Sequence, residues 1–291
     1  MTDEGGGPRA ASLVGRFGGL VPAAVYFGLF FFVPFGLIVS FSFWHDFNYR
    51  VIHHWTLENY RYFFGQSAYV HTMWSTLWVG LASTGITLAM AFPFAYWLAR
   101  YVPRGLQKAL LVLVIVPFWT SYLLRVYSWL NILGDQGVVN TALKWLGLID
   151  QPLSLLYHRW TVVVVLVYLY FPFAALTLYS SIDRFDWDQL LAAMDLGASP
   201  LKAIRRILVP QIRPGIVAAI IFVFIPILGE YLAPQIVGGT DGIMTGNQID
   251  EFQKYALYAR ASALSLLVAA FIVLLLVLFR RSLGAKEAYG A

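Results

Sequence analysis

Long apolar stretches alternate with short polar segments along this chain. Six stretches have about the 20 residues that an α-helix needs to cross the hydrocarbon core of a bilayer. They cover residues 20–44, 72–98, 109–133, 161–179, 215–237 and 262–279. The pattern predicts an all-α integral membrane protein with six transmembrane helices. We place the transmembrane domain at residues 18–284, between short tails at residues 1–17 and 285–291.

The composition supports a membrane protein. Hydrophobic residues make up 59% of the 291 residues and charged residues only 12%, and the mean hydropathy is +0.69. A soluble globular protein would carry about twice that share of charged residues. The first apolar stretch is too long for the core of a signal peptide and lacks a clear small-residue cleavage site. We therefore expect it to remain as a helix.

The distribution of basic residues predicts the orientation, because Lys and Arg accumulate on the cytoplasmic side of membrane proteins. With the N terminus inside, thirteen basic residues fall on the cytoplasmic side and six on the outer side, while Arg125 lies inside the third predicted helix. We expect both termini in the cytoplasm. The net charge of +5 then reflects topology and contact with membrane lipid. The arginines are too scattered to indicate nucleic-acid binding.

A polar, cationic segment at residues 186–216 separates two of the apolar stretches. Asp186 and Gln189 have the spacing of a capping box, which predicts a helix that begins at Trp187. Its apolar positions recur at helical spacing and form one stripe. The stripe consists of Trp187, Leu190, Leu191 and Met194. Gly197 is expected to end this helix, because glycine adopts the left-handed conformation without a Cβ penalty.

A second short helix is predicted to begin at Pro200, after Ser199, because proline at the first helical position loses no hydrogen bond. Apolar side chains are expected on one side and basic side chains around the other, and Pro210 is expected to close the helix. The apolar set is Leu201, Ile204 and Leu208, and the basic set is Lys202, Arg205 and Arg206. On these patterns alone, the two helices also suit an amphipathic hairpin that lies on the membrane surface.

The same segment resembles the cytoplasmic loop of binding-protein-dependent ABC importer permeases. The matching residues are Ala192, Ala193, Asp195, Leu196, Gly197, Ala198, Ser199, Pro200, Pro210, Pro214 and Gly215. The resemblance implies that the loop, at residues 183–213, docks into a cytoplasmic ATPase and transmits its closure to the membrane helices. One position departs from the family pattern, since Leu191 replaces the glutamate that usually precedes the two alanines.

Two further segments, residues 116–150 and 228–239, are similar to the polyamine branch of these permeases. The resemblance implies the type I importer fold, a location in the bacterial cytoplasmic membrane and import of a small organic cation such as spermidine or putrescine. Iron, opine, thiosulfate and phosphonate remain alternative substrates. The implied partners are a second homologous permease, two cytoplasmic ATPase subunits and a periplasmic or lipid-tethered binding protein. The chain itself is expected to bind no cofactor, with ATP and Mg²⁺ on the ATPase.

Several catalytic sites are excluded by the residue types. The chain has no cysteine for a thiolate metal site and no Gly-Lys dipeptide for a phosphate-binding loop, and its five histidines lack metalloprotease spacing. We therefore expect no catalytic or metal-binding residues and no enzymatic activity. Two alternative classes are a membrane enzyme and an ion-driven secondary transporter. The sequence shows neither the catalytic cluster of the first nor the inverted repeats that the second typically has.

Two charged residues, Glu230 and Arg125, fall inside predicted transmembrane helices. Intramembrane charges usually face the interior of a bundle, where they line a pathway or form a pair. Counting residues along straight helices places both near the outer third of the membrane. They are expected either to form a salt bridge with each other or to bind backbone groups separately. Alternatively, they line the substrate path together with Tyr231 and Trp119.

Overall fold

A computed structural model describes residues 21–48 and 50–283, so both predicted tails lie outside the described residues. Twelve helices account for most of this part of the chain. They are α1 (Val21–Ser42), α2 (Glu58–Gly65), α3 (Ser67–Tyr101), α4 (Arg104–Ile115), α5 (Tyr122–Leu133), α6 (Val138–Trp145), α7 (Arg159–Ile182), α8 (Trp187–Asp195), α9 (Pro200–Gln211), α10 (Arg213–Leu228), α11 (Thr245–Lys254) and α12 (Tyr258–Leu283). A 3₁₀ turn, Val116–Trp119, extends α4, and a π-helical segment, Pro234–Gly238, lies between α10 and α11.

Four of these helices, α1, α3, α7 and α12, are each long and apolar enough to cross a membrane. They coincide with the first, second, fourth and sixth predicted spans. Two further apolar helix pairs are bent, by 91° between α4 and α5 and by 74° between α9 and α10. The described residues therefore contain up to six spans, if each bent pair is counted as one.

The third and fifth predicted spans are not continuous helices, and this corrects the sequence analysis. The third divides at Thr120 and Ser121, where the chain turns sharply into α5. The fifth ends as a helix at Leu228, and residues 229–231 are non-helical. Arg125 and Glu230 therefore do not lie inside straight helices, and residue counting along such helices does not give their depths.

Helix α3 packs closely against α7 and α10 through a face of small and hydroxyl side chains. This face comprises Ser75, Thr76, Gly80, Ser83, Thr84, Thr87, Ala91 and Ala95, all buried. Small residues allow membrane helices to approach closely. At Gly80, an added Cβ would lie 2.8 Å from the ring of Phe224 in α10, so the contact requires glycine. This packing forms the core that carries α10.

Between α1 and α2 the chain forms a short antiparallel hairpin of β1 (His45–Phe47) and β2 (Arg50–Ile52), a small addition to an otherwise helical fold. Asp46 in β1 is buried, and its carboxylate accepts hydrogen bonds from the backbone N–H groups of Ala259 and Arg260, each at 3.0 Å. A carboxylate at a helix N-terminus satisfies free backbone donors and interacts favourably with the helix dipole. Asp46 thereby fixes the first turn of α12 beneath the hairpin.

Candidate functional site

Helix α8 begins at Trp187, as the sequence predicts. The Asp186 carboxylate accepts a hydrogen bond from the backbone N–H of Asp188 at 3.1 Å. The Gln189 side chain donates to the same carboxylate at 3.4 Å instead of returning to the backbone N–H of Asp186. The N-cap is therefore confirmed, but the reciprocal half of the predicted capping box is absent.

Gly197 ends α8 in the left-handed conformation, with φ of +85°, which confirms the predicted end of this helix. The N–H of Ala198 donates to the carbonyl of Ala193 at 3.0 Å, and the N–H of Gly197 donates to the carbonyl of Met194 at 2.9 Å. These two bonds form a Schellman motif. A Cβ on Gly197 would meet no atom within 4 Å, so the backbone conformation, and not space, is what calls for glycine here.

Helix α9 begins at Pro200 as predicted, but Pro210 does not close it. A π turn, Ile204–Leu208, interrupts the helix, and the N–H of Val209 bonds to the carbonyl of Ile204. The chain then continues through Pro210 to the end of α9. Pro210 has no N–H to donate, and its ring would clash with the preceding turn of a regular α-helix. The wider π turn gives the ring more room.

The two helices form a hairpin, residues 186–211, that we call the coupling hairpin. Its base is attached to the cytoplasmic end of α3, as the predicted orientation places it, through the ring of Trp187. This ring lies 5.0 Å from the Arg100 guanidinium and 5.7 Å from the ring of Tyr96. The Gln211 side chain donates to the side-chain oxygen of Gln189 at 2.5 Å and joins α9 to α8. The hairpin is thereby held to the bundle and internally braced.

The apolar stripe predicted for α8 divides between the interior and the surface. Leu190 is buried, and Trp187 is half-buried, but Leu191 and Met194 are exposed. Leu201 was predicted to share a face with Ile204 and Leu208, yet it is 76% exposed, while Leu208 is buried. Ala203 and Leu208 form the buried face of α9 instead, at the five-residue spacing of a π turn.

The outer surface of the coupling hairpin is apolar at several positions. Leu196 is 89% exposed at its tip. The remaining predicted coupling residues are mostly exposed as well. Of these, Ala192, Asp195, Ser199, Pro200 and Pro210 are exposed, and Ala193 and Ala198 are half-buried. Clustered exposed apolar side chains commonly mark a protein or membrane interaction surface.

Glu230 lies in the break after α10 and caps the next helical segment. One carboxylate oxygen, Oε1, accepts hydrogen bonds from the backbone N–H groups of Tyr231, Leu232 and Ala233, at 3.1, 3.0 and 3.4 Å. Gly246 of α11 packs directly against this break, since a Cβ there would lie 2.5 Å from the Glu230 carbonyl oxygen. Glu230 therefore satisfies backbone groups, one of the alternatives that the sequence left open.

The other oxygen of Glu230, Oε2, binds two tyrosines that the sequence analysis missed. Tyr122, the first residue of α5, donates at 2.6 Å, and Tyr170, within α7, donates at 3.3 Å. Glu230 itself is only 8% exposed. The carboxylate therefore joins three separate elements. We call Glu230, Tyr122 and Tyr170 the carboxylate–tyrosine cluster.

Arg125 does not pair with Glu230, which corrects the salt-bridge alternative. Within the described part of the chain, no carboxylate lies within 4.0 Å of its guanidinium. The guanidinium stacks instead on two rings, 4.3 Å from the centroid of Phe118 and 5.6 Å from that of Tyr122. Tyr122 is therefore the neighbour that the two charged residues share.

The two aromatic residues predicted for the substrate path are accessible. Trp119 is 81% exposed at the bend between α4 and α5, and Tyr231 is 43% exposed beside Glu230. The side chain of Asn247 donates to the Tyr231 carbonyl at 2.7 Å and fixes the backbone there. Helix α10, of 16 residues, runs from the coupling hairpin to this break over about 24 Å. A single helix thus connects the two candidate regions.

Comparison with known proteins identifies a family. Residues 91–285 match the family described as the binding-protein-dependent transport system inner membrane component. The chain is 35% identical to the spermidine/putrescine transport system permease protein PotB of Escherichia coli over 228 residues, which cover 78% of this chain and 82% of PotB. It is 34% identical to PotB of Haemophilus influenzae, with 78% and 79% covered. The inner membrane ABC transporter permease protein YdcU of Escherichia coli is 29% identical, with 92% and 90% covered.

The fold also matches a solved structure, a bacterial ABC transporter involved in import of the acidic polysaccharide alginate. The TM-score is 0.72 over 97% of this chain and 100% of that chain, at 18% sequence identity. This likeness shows the type I importer permease fold, and the apolar helices suit a multi-pass protein of the inner membrane. The chain belongs to the family of inner membrane components of binding-protein-dependent transport systems, the permeases of ABC importers.

Proposed function

We propose that this chain is a permease subunit of an ATP-driven importer of spermidine, putrescine or a closely related polyamine. The similarity to the PotB permeases over 78% of the chain is the observation that carries the proposal. A permease of this family works with a second permease, an ATPase and a binding protein. We take the second permease to be a homologous, different chain, with two ATPase subunits and a periplasmic or lipid-tethered binding protein.

The coupling hairpin is the proposed contact with the ATPase. Its exposed leucines, Leu191, Leu196 and Leu201, offer an apolar surface that another protein can cover. Leu191 replaces a family glutamate, so this position contributes apolar contact where relatives have a charge. The hairpin is joined to the bundle at Trp187, and α10 follows it directly. A displacement of the hairpin therefore acts on α10 and on the break at its far end.

The break at Glu230 is the proposed outer part of the substrate path. Both carboxylate oxygens already accept hydrogen bonds, so an incoming ammonium group must displace a tyrosine hydroxyl to bind directly. The negative charge still lowers the cost of admitting a cation to an apolar environment. Trp119 and Tyr231 present accessible rings, which attract cations through their π faces. The cluster thus supplies charge, and the exposed rings supply contact surface.

The orientation leads to a direct prediction. With both termini in the cytoplasm, a reporter that is active only outside the cytoplasm should be silent when fused after Ser199 and active when fused near Gly65. Ser199 lies in the coupling hairpin and Gly65 ends α2. The predicted topology puts them on opposite sides of the membrane. Reporter activity at Ser199 would place the hairpin outside and exclude ATPase contact.

The substrate class is tested by uptake in cells. A strain that lacks this chain should lose most of its energy-dependent uptake of labelled spermidine or putrescine, and restoring the chain should restore it. Unlabelled polyamines should compete, whereas an uncharged diol of similar length should not. Undiminished polyamine uptake in a strain without other polyamine importers would contradict the proposed substrate.

A further inference from the structure

Arg125 has buried hydrogen-bond donors that no group in the described part of the chain satisfies. Its Nε and Nη1 atoms are buried and without a partner. The rings of Phe118 and Tyr122 hold the guanidinium but accept no conventional hydrogen bond. An unsatisfied buried donor costs about 1–3 kcal/mol, and more when the group is charged. A partly desolvated cation of this kind strongly favours an anion at its remaining edge.

The nearby carboxylate cannot serve as that anion. Glu230 directs one oxygen to three backbone N–H groups and the other to two tyrosine hydroxyls. The hydroxyl of Tyr122, whose ring lies beside Arg125, donates its hydrogen to Glu230 at 2.6 Å. Within the described residues, no group supplies a counter-charge for Arg125.

The surface around Arg125 is open and suits a protein partner. Ser121 and Ser128 lie four residues before and three residues after Arg125, so they share its helix face, and both are small and exposed. Leu124 and Tyr127 beside them are 63% and 48% exposed. An arginine among aromatic and aliphatic side chains is typical of the centre of a protein interface.

We propose that Arg125 forms an ion pair with a carboxylate of the second permease subunit. The inference rests on the proposed function in one respect, since it takes a second permease as given. The ion pair would also neutralise the charge of Arg125, because an unneutralised guanidinium beside the path would repel an amine cation. A lipid phosphate fits less well, because an arginine that reaches for headgroups extends its whole guanidinium into the interface. Two nitrogens of Arg125 are instead enclosed by its own chain.

The test is assembly of the purified complex, which requires no polyamine. Arg125→Gln should reduce the amount of second permease that co-purifies with this chain by about tenfold or more, because loss of one partner leaves the other charge buried and unpaired. Arg61→Gln is the matched control, since Arg61 is an exposed arginine of α2, and it should assemble as wild type. Reversal of charge on both sides, with Arg125→Glu and an acidic residue of the second permease changed to arginine, should restore assembly.

Three results would overturn the ion pair. Normal co-purification of Arg125→Gln would exclude it, and a defect of Arg125→Gln that appears only in membranes with anionic lipid would assign the arginine to a headgroup. Normal assembly with reduced uptake would make Arg125 a path residue only. If the Arg125→Gln protein does not accumulate in the membrane, cross-linking of a chain that keeps Arg125 tests the contact with the second permease. The chain has no cysteine, so Ser128→Cys should cross-link to the second permease, whereas Val273→Cys on exposed α12 should not.

Discussion

Glu230→Gln is expected to lower uptake of labelled spermidine by about tenfold to a hundredfold, the effect of losing one interaction with a charged group. Glutamine has nearly the same size, and its oxygen can still accept from the backbone N–H groups of Tyr231 and Leu232. The helical segment after the break should therefore still form. Only the negative charge and one acceptor for the tyrosines are lost, so the complex should assemble normally.

The tyrosines separate the effect of charge from the effect of the hydrogen bonds. Tyr122→Phe removes the 2.6 Å bond to Glu230 but keeps the carboxylate, so uptake should stay within about threefold of wild type if charge is what matters. Tyr127→Phe, on the exposed side of the same helix, is the matched control. If Tyr122→Phe lowers uptake as much as Glu230→Gln, the cluster acts as a structural connection. If Glu230→Gln transports normally, the path role is wrong.

Hydropathy predicted the spans but not their breaks. Only Thr120 and Ser121 at one break and Glu230 at the other interrupt the apolar sequence, and averaging over a window of about 20 residues hides so few polar positions. Proline precedes both, at Pro117 and Pro226, but proline is common in membrane helices that do not break. The positions of the breaks depend on packing between distant elements.

The carboxylate–tyrosine cluster could not be predicted for a related reason. Tyr122 and Tyr170 lie 108 and 60 residues before Glu230 in the sequence, and no local pattern connects them. Intramembrane charge did identify Glu230 as a residue that needs partners. The sequence therefore located the carboxylate and left the identity of its donors open.

The coupling hairpin was predictable where the determinant is local. Gly197 was expected in the left-handed conformation because glycine adopts a positive φ without a steric penalty, and the structure confirms this. In α9 the direction of Leu201 was predicted wrongly because the sequence was placed on a regular helix, whereas Leu208 is buried and the basic side chains are exposed as predicted. The π turn inserts an extra residue, turns Leu201 outward and brings Ala203 and Leu208 to one face.

Gly197→Val is expected to uncouple ATP hydrolysis from transport. At φ of +85° a β-branched residue costs about 1–2 kcal/mol or more, so the Schellman motif should rearrange and shift α9 relative to α8. An added Cβ would meet no atom within 4 Å, so the bundle should still fold and insert. Gly197→Asn is the matched control, because asparagine tolerates the left-handed conformation and should retain coupling.

The central claim is that this chain links ATP hydrolysis to polyamine import through the coupling hairpin. The most direct measurement is the amount of spermidine imported per ATP hydrolysed, in proteoliposomes that contain this chain, the second permease, the ATPase and the binding protein. Wild type should show ATP-dependent import and hydrolysis stimulated by spermidine. Gly197→Val should lose that stimulation and import about tenfold less, a change equivalent to about 1.4 kcal/mol. Wild-type coupling in Gly197→Val, or no ATP-dependent spermidine import by the wild-type complex, would contradict the account.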